Sequence, residues 1–304
     1  MNTEPGRGLI TEAITEPTDG AAAAIVAEGV TVRHGDVTVL DDVRFALPRG
    51  AVLGVVGRNG AGKTTLLRAL LGLVPTAAGE ARLYGCDSRA LDDRVRARLG
   101  YVAQSPEFYG WLRVRELLAL FGQSYPAWTE ARMRELAVRF DLAVDLRVRH
   151  LSPGERQRLA IVLAMQHCPD LLIFDEPVAS LDPLGRRDFL RLLFERGDAG
   201  PEPLTAIISS HLLDDLERVA THLLFLGQGR VQLFGERDAL AEHLHEVVTA
   251  APLPTRDGVL RRERQRDGAW RSLIDDRRFA RATLPAGATC RPLGLLELFV
   301  ALNG

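Results

Sequence analysis

The first half of the sequence alternates short apolar runs with glycines and turn residues. The runs Gly29–Arg33, Val37–Leu40 and Val43–Leu47 are rich in β-branched residues and predict short strands. A nearly continuous apolar segment, Ala51–Val56, then leads through glycines into helical spacing over Thr64–Leu73. Such a run is typical of a strand that is buried on both faces. Strand, glycine-rich loop and helix in this order predict an α/β fold.

The middle of the chain has a different period. Between about 105 and 167, arginine and leucine recur at helical spacing through Val114–Phe121 and Glu130–Phe140, and this predicts an inserted helical subdomain. Strand signals return afterwards, interrupted by one helix-like stretch, and the alternation predicts a mostly parallel sheet. These later segments are Leu171–Phe174, the helical Arg186–Glu195, Thr205–Ser209 and His222–Leu226, with a predicted hairpin turn near Gly227–Gly229.

Both ends of the chain differ from this centre. Residues 1–24 mix Gly, Thr, Glu and Pro without a period that would bury a face, so we expect a flexible N-terminal tail. Residues 25–244 form the predicted main domain, and residues 245–304 form a small separate α+β module that ends in an apolar segment. The arginines of Arg261–Arg281 alternate with carboxylates, which favours a solvated face over a phosphate-binding patch.

Composition narrows the class of protein. The 304 residues carry a formal net charge of -2, with 26% charged and 46% hydrophobic residues, as in ordinary soluble proteins, and we expect no nucleic-acid partner. The three cysteines are odd in number and widely spaced, which indicates a reducing compartment rather than a disulfide framework or a zinc cluster. No apolar run approaches the ~20 residues of a membrane-spanning helix, and no signal-peptide pattern is present. We therefore expect a cytosolic chain that does not span a membrane.

A single lysine stands among 38 basic residues, and it lies in a glycine-rich loop. The segment Gly57–Thr64 fits the phosphate-loop pattern of a glycine, four residues and then glycine-lysine-threonine. Backbone N–H groups of such a loop and the N-terminus of the following helix attract phosphate, Lys63 reaches the β- and γ-phosphates, and the Thr64 hydroxyl binds Mg²⁺. The predicted nucleotide-binding residues are Gly57, Arg58, Asn59, Gly60, Ala61, Gly62, Lys63, Thr64 and Thr65.

A second motif is the apolar strand Leu171–Glu176, which ends in two carboxylates. We expect Asp175 to hold Mg²⁺ through water and Glu176 to polarise the water that attacks the phosphate. Hydrolysis of a nucleoside triphosphate depends mainly on positioning and charge stabilisation, and a strand end is a rigid place for such groups. Alone, an acidic pair after a strand could simply face a loop. The phosphate loop upstream makes the hydrolytic interpretation specific.

Five motifs occur along the chain in the order phosphate loop, Gln104, Leu151–Arg158, Asp175–Glu176 and His211. In this order they resemble the ATP-binding subunit of an ABC transporter, over about residues 27–240. The resemblance implies the P-loop ATPase fold of that family, with a mixed sheet and an inserted helical subdomain. It also implies that the chain binds ATP with Mg²⁺ and hydrolyses the ATP.

The resemblance assigns roles to single residues. Gln104 matches the glutamine that contacts Mg²⁺ and the attacking water, and His211 matches the switch histidine at the γ-phosphate. Ser152 and Gly154 match the signature positions that contact the γ-phosphate bound by the opposite subunit, and Asp182 matches the loop at the dimer interface. The implied catalytic residues are Glu176, His211 and Gln104, and the implied metal ligands are Thr64, Gln104 and Asp175.

Two positions depart from the family pattern. The family signature has two glycines and then glutamine, where this chain has Pro153, Gly154 and Glu155. Proline suits the first turn of a helix, so the site can survive if the Gly154 N–H faces phosphate, but Glu155 brings negative charge towards a nucleotide. We therefore expect binding in trans to be retained but weakened. The family usually has an aromatic residue at the adenine-stacking position, where this chain has His34. An imidazole offers less stacking area, which predicts a reduced preference for ATP over GTP.

The resemblance also implies partners. One phosphate loop and one signature complete a site only when the chain pairs head-to-tail with a copy of itself or a paralogue. Phe108, Tyr109 and Trp111 follow Gln104 in a region that faces the membrane permease in the family, although each could instead pack inside the helical subdomain. The segment Leu293–Gly304 resembles the terminal helix of export-type subunits. We expect an exporter subunit held at the inner face of the cell membrane by a separate permease; the alternative is a soluble ABC ATPase of assembly or translation without a membrane partner.

The sole lysine gives a first prediction. Lys63→Arg should abolish ATP hydrolysis and leave the fold intact, because a compact ammonium fits a phosphate nest and a planar guanidinium with five donors does not. Phosphate release and thermal unfolding are the two measurements. Hydrolysis by the variant at the unsubstituted rate would contradict the assignment of the loop.

Overall fold

The structure, a computed structural model, describes residues 10–11, 23–199, 203–210 and 213–303. Its strands are β1 (Ile10–Thr11), β2 (Ala23–His34), β3 (Val37–Pro48), β4 (Val52–Val56), β5 (Ala78–Leu83), β6 (Cys86–Asp87), β7 (Leu99–Val102), β8 (Leu171–Asp175), β9 (Thr205–Ser210), β10 (His222–Gly227), β11 (Arg230–Glu236), β12 (Leu244–Thr249), β13 (Val259–Arg264), β14 (Trp270–Asp275) and β15 (Thr289–Pro292). Its α-helices are α1 (Lys63–Leu70), α2 (Asp93–Arg96), α3 (Val114–Gly122), α4 (Glu130–Arg139), α5 (Pro153–Met165), α6 (Pro183–Ala199), α7 (Leu213–Val219), α8 (Arg237–His243) and α9 (Leu295–Asn303).

The central sheet has the strand order β1-β11-β10-β4-β9-β8-β7. All neighbouring strands run parallel except β10 and β11, which form the predicted hairpin around Gln228 and Gly229. Side chains of each inner strand alternate between two cores: in β8, Leu172 and Phe174 lie in one and Leu171 and Ile173 in the other. This is why the strands read as continuous apolar runs, and the predicted mixed α/β sheet is confirmed.

A second, antiparallel sheet with the order β3-β2-β5-β6 shares one of these cores with α1. The prediction of three short strands before residue 48 is wrong, because the region forms the two long strands β2 and β3. Gly29 (φ 67°) and Asp42 (φ 53°) lie inside these strands at register irregularities. The turn-forming residues therefore mark β-bulges and not strand ends.

Helices α3 and α4 cover the two segments of helical period in the middle of the chain. Helices α3, α4 and α5 follow one another between β7 and β8, and the described residues between those two strands form no further strand. Their apolar faces, including Leu117, Leu136 and Leu159, belong to the core on the other face of the central sheet. Trp128 Nε1 donates to Gln166 Oε1 at 3.0 Å, which ties the α3–α4 connection to the end of α5.

The predicted boundary between the N-terminal tail and the main domain shifts. Strand β2 begins at Ala23 and Ala24 is fully buried, so the last residues of the predicted tail belong to a sheet. Ile10 and Thr11 pair with β11 as the short strand β1. The other predicted tail residues lie outside the described part of the chain. A strand this short carries no periodicity that the sequence could reveal.

The C-terminal strands form a third sheet, in the order β13-β14-β12-β15, with a small core of its own around Phe279. The module is not separate, however. Leu298 and Leu302 of α9, together with Leu273 of β14, are buried in the same core as Leu223 of β10. Within Arg261–Arg281, Arg271 is ion-paired with Glu246 and Arg277 with Asp275. Beyond that stretch, Arg291 bridges Glu246 and Glu297 of α9.

Among the described residues, no helix combines the length and the hydropathy that crossing a bilayer would require.

The shared core gives a second prediction. Leu298→Ala should lower the free energy of unfolding of the whole ATPase unit by about 2 to 5 kcal/mol, because it leaves a cavity in a core common to α9 and the central sheet. Urea denaturation measures this. The matched control is Leu296→Ala on the same helix, where the side chain is 60% exposed and the expected change is within about 0.5 kcal/mol. Equal, small effects of both variants would contradict the shared core.

Candidate functional site

The register of the parallel strands brings four strand ends to one edge of the central sheet. Val56 at the end of β4 pairs with Ser210, Asp175 at the end of β8 pairs with Ser209, and Val102 at the end of β7 pairs with Phe174. The loops that leave these ends carry the phosphate loop, the two carboxylates and Gln104. Ligands of open α/β sheets bind at the carboxyl ends of strands.

The glycines of the phosphate loop are required by its conformation. Gly60 and Gly62 have φ angles of 81° and 104°, a region that other residues rarely adopt. Gly57 is required by packing, since a Cβ there would lie 2.5 Å from the Leu226 carbonyl oxygen. Helix α1 begins at Lys63 with Gly62 as its N-cap. The unpaired N–H groups of this first turn therefore belong to the loop, as an anion site requires.

Lys63 is buried, with 7% of its surface exposed, and its ammonium is held on two sides. Nζ donates to the Gly57 carbonyl oxygen at 2.8 Å and lies 3.5 Å from Glu176 Oε1. A buried cation needs such partners. The loop and the strand-end carboxylate therefore share one positive charge, at the position where the sequence predicts phosphate.

The other residues of the predicted phosphate loop differ in how exposed they are. Arg58, Asn59 and Gly60 are exposed, Gly62, Thr64 and Thr65 are half-buried, and Gly57 and Ala61 are buried. The Gly229 N–H donates to the Ala61 carbonyl oxygen at 3.1 Å, which joins the β10–β11 hairpin to the loop. The buried residues thus fix the loop to the rest of the fold, and its exposed residues remain accessible to a ligand.

Ser209 organises the two carboxylates, and the sequence analysis did not identify it. Its hydroxyl donates to Asp175 Oδ1 at 2.8 Å and accepts the Glu176 N–H at 3.0 Å. Glu176 also has a φ of 50°, in the left-handed region that non-glycine residues rarely adopt. The available signal is the hydroxyl pair Ser209–Ser210, which follows the apolar residues 206–208 at the end of β9.

The second carboxylate oxygen of Asp175 is a candidate ligand for the predicted metal. The carboxylate is fully buried, and its Oδ2 has no hydrogen-bond partner among the described residues. Such an atom is rare unless something else satisfies it. Within the described part of the chain, no three His, Cys, Asp or Glu side chains gather into a metal cage. Mg²⁺ at a nucleotide site needs only one or two protein ligands beside phosphates and water, so the residues fit this ion.

The remaining predicted residues near the nucleotide lie as follows. Gln104 is exposed, two residues beyond β7. His34 is exposed as the last residue of β2, and the hairpin it belongs to approaches the loop, because a Cβ on Gly62 would lie 2.9 Å from Leu40. His211, the predicted switch histidine, follows β9 and lies outside the described residues.

Ser152, Gly154 and Asp182 are the residues predicted to act at the interface with the opposite subunit, and they lie on two neighbouring loops. A Cβ on Gly154 would lie 2.9 Å from the Ser180 carbonyl oxygen, so the signature abuts the loop that contains Asp182. Asp182 Oδ1 accepts the Gly185 N–H at 2.7 Å, which caps α6. Ser152 is the exposed N-cap of α5, and Pro153 occupies its first turn, as the sequence predicts.

Relatives of the chain share the region of these motifs. Residues 40–179 match the family model described as ABC transporter. The chain is 34% identical over 235 residues to Nod factor export ATP-binding protein I of Ralstonia nicotianae, an alignment that covers 75% of the chain and 71% of the relative. It is 31% identical over 204 residues to the bacitracin transport ATP-binding protein of Bacillus licheniformis, which covers 66% of each.

Solved structures share the fold. A structure described as the ATP-binding subunit of an ABC transporter has a TM-score of 0.65 at 28% identity, covering 72% of this chain and 92% of its own. A dimeric ATP-binding cassette in a post-hydrolysis state, bound to ADP and Pi, has a TM-score of 0.62 at 21% identity, covering 70% and 98%. At this identity the second likeness shows the fold alone.

The phosphate loop and the buried carboxylates at a parallel sheet edge define a P-loop enzyme that hydrolyses ATP. The chain belongs to the ATP-binding subunits of ABC transporters. The relatives named above are transport proteins, so an ATPase without a membrane partner is not favoured.

The role of Ser209 gives a third prediction. Ser209→Ala should lower ATP hydrolysis severalfold and cost about 1 to 3 kcal/mol of stability, because the buried Asp175 loses the hydroxyl that donates to it. The measurements are the rate of phosphate release and urea denaturation.

Ser88→Ala is the matched control, since Ser88 is also buried and donates to the Ala69 carbonyl oxygen at 3.4 Å. It removes a buried hydroxyl that contacts neither Asp175 nor Glu176, so hydrolysis should be unchanged. If the two variants hydrolyse ATP equally well, Ser209 has no special role in the site.

Proposed function

We propose that the chain is the motor subunit of an exporter and pairs head-to-tail, with a copy of itself or a paralogue, around two ATP molecules. The observation that carries the hydrolytic part is the arrangement of Lys63, Asp175 and Glu176 at one sheet edge. The word "export" in the name of the Ralstonia relative supports the direction of transport. The likeness of α9 to the terminal helix of export-type subunits also supports it.

The contacts of Lys63 suggest how ATP binding prepares hydrolysis. Phosphate oxygens carry more negative charge than the Gly57 carbonyl, and they replace it as the partner of the ammonium. Lys63 then moves away from Glu176, which lies 3.5 Å from it. In this arrangement the Glu176 carboxylate accepts a hydrogen bond from the attacking water and holds that water in line.

Asp175, Thr64 and Gln104 are the residues that we propose for Mg²⁺. The Oδ2 atom of Asp175 supports this, because it is buried without a described hydrogen-bond partner. Ser209 holds the other oxygen and so fixes the orientation of the carboxylate. A bound Mg²⁺ would neutralise charge on the β- and γ-phosphates.

Pairing of two subunits supplies the residues that one chain cannot bring to its own nucleotide. In this proposal the Ser152 hydroxyl and the Gly154 N–H of one subunit meet the γ-phosphate at the phosphate loop of the other. Both residues are accessible at the N-terminal end of α5, where the helix dipole favours an anion. Asp182 lies beside them and joins the interface, while His211 completes the site from within its own subunit.

An aromatic pair supports contact with a permease. Tyr109 and Trp111 pack against each other with ring centroids 5.0 Å apart, and both remain exposed, Trp111 by 66%. They lie just beyond Gln104, so a partner bound there is connected to the nucleotide through a few residues. Phe108 instead packs against the core of the helical subdomain. Through the permease the subunit is held at the inner face of the membrane.

Replacing the proposed catalytic carboxylate gives a fourth prediction. Glu176→Gln should bind ATP, lose nearly all hydrolysis and accumulate as an ATP-bound dimer, because an amide cannot accept the proton of the attacking water. Light scattering after size exclusion, with and without ATP, measures the dimer.

Glu246→Gln serves as the control, because Glu246 is also buried and ion-paired but lies in the C-terminal sheet. It should hydrolyse ATP and show no trapped dimer. Undiminished turnover in Glu176→Gln would refute the role of Glu176, and a trapped species that stays monomeric would refute the pairing.

A further inference from the structure

The N-terminus of α5 contains an unusually complete set of hydrogen bonds between Ser152 and Glu155. The Ser152 N–H donates to Glu155 Oε2 at 2.8 Å, and the Ser152 hydroxyl donates to the same oxygen at 2.7 Å. In return the Glu155 N–H donates to the Ser152 hydroxyl oxygen at 3.3 Å. One carboxylate oxygen therefore takes both donors of the serine.

In this arrangement the single hydroxyl proton of Ser152 is already used in the hydrogen bond to Glu155. A serine hydroxyl has one donor and two acceptor lone pairs, whereas a fully ionised phosphate oxygen can only accept. The hydroxyl can bind phosphate only after it turns away from Glu155. The hydrogen bond that it gives up is a charged one, which is stronger than a bond between neutral groups.

The carboxylate also carries its charge at neutral pH. The hydrogen bond from the Ser152 hydroxyl, and next the one from the Ser152 N–H, lower the pKa of the Glu155 carboxyl. Glu155 is only partly buried, and so is Arg158 one turn further on, which also favours the charged form. An incoming phosphate therefore meets a negative charge within hydrogen-bond distance of the hydroxyl it needs.

A helix can be capped without a hydrogen bond from a serine hydroxyl to a charged carboxylate. Helix α3 begins with one half of this arrangement, in which Glu116 Oε2 accepts the Arg113 N–H at 2.8 Å. There the N-cap residue has no hydroxyl for the carboxylate to hold. The two helices thus share the bond from the N-cap N–H to the glutamate, and of these two α5 adds the bond that holds a hydroxyl proton.

We propose that Glu155 restrains ATP-driven pairing of two subunits, by holding the Ser152 hydroxyl proton and by repelling the partner's nucleotide phosphate. The inference rests on the proposed function, in which Ser152 meets the ATP of the other subunit. Glu155 is a positioning residue here, since it acts on the Ser152 hydroxyl and through its charge and does not touch the reacting atoms. A glutamine at this position keeps an oxygen for the Ser152 N–H and removes the charge.

The test compares pairing in the Glu176→Gln background, where hydrolysis does not remove the ATP-bound dimer. Adding Glu155→Gln should lower the ATP concentration that gives half-maximal dimer about three- to tenfold, the range expected for a partly exposed charge. Adding Glu116→Gln, which changes the matching cap of α3, should leave it unchanged. Sedimentation velocity measures the dimer, and a fluorescent ATP analogue measures binding to each chain.

The salt dependence of pairing distinguishes charge repulsion from a purely structural role of the cap, which would not make pairing depend on salt. Raising the salt from about 0.05 M to about 0.5 M shortens the range of charge repulsion severalfold. The chain that keeps Glu155 should therefore approach the Glu155→Gln chain in its half-maximal ATP concentration as salt rises. Should Glu155→Gln fail to fold, the chain that keeps Glu155 tests the same repulsion alone: tighter pairing at high salt supports it, and unchanged or weaker pairing contradicts it.

The outcomes separate the two proposals. If the Glu176→Gln chain pairs with ATP and Glu155→Gln changes neither the ATP concentration nor the salt response, the role of Glu155 is wrong and the proposed pairing stands. If every chain binds the ATP analogue but none pairs at saturating ATP, the proposed pairing fails and this inference fails with it. A threefold or larger gain for Glu155→Gln alone supports both.

Discussion

A buried ammonium has to be paired, and much of the site follows from this constraint on Lys63. Its partners are the Gly57 carbonyl oxygen and the Glu176 carboxylate, so the loop must curl back over the lysine and the end of β8 must lie beside it. The curl needs the positive φ angles of Gly60 and Gly62. The neighbouring position of β8 needs the parallel order β4-β9-β8. One charge therefore links local loop geometry to the topology of the whole sheet.

The parts of the site that the sequence predicted are those whose chemistry is local. A glycine loop before a helix and two carboxylates at the end of an apolar strand can be recognised in a few consecutive residues, and the structure has helix α1 and strand β8 at these places. Ser209 was missed because its partners Asp175 and Glu176 are more than thirty residues away. Only the pairing of β8 with β9 brings them together, and strand register is not written in either strand alone.

The same distinction explains the errors in the fold. Gly29 and Asp42 favour turns when read locally, yet pairing along β2 and β3 absorbs them as bulges. The apolar character of α9 was evident, but which surface it covers depends on contacts with β10, more than sixty residues earlier. Local propensity identified these elements, while their limits and neighbours were decided by tertiary packing.

The position of α9 in the chain has a consequence for synthesis. The helix follows every other described element, yet Leu298 and Leu302 belong to the core beneath the central sheet. While the protein is being translated, the ATPase domain therefore carries an uncovered apolar surface until α9 has emerged from the ribosome. Nascent chains in this interval expose the kind of surface that chaperones bind and that promotes aggregation. Helix α9 thus sets the point in synthesis at which this core can be completed.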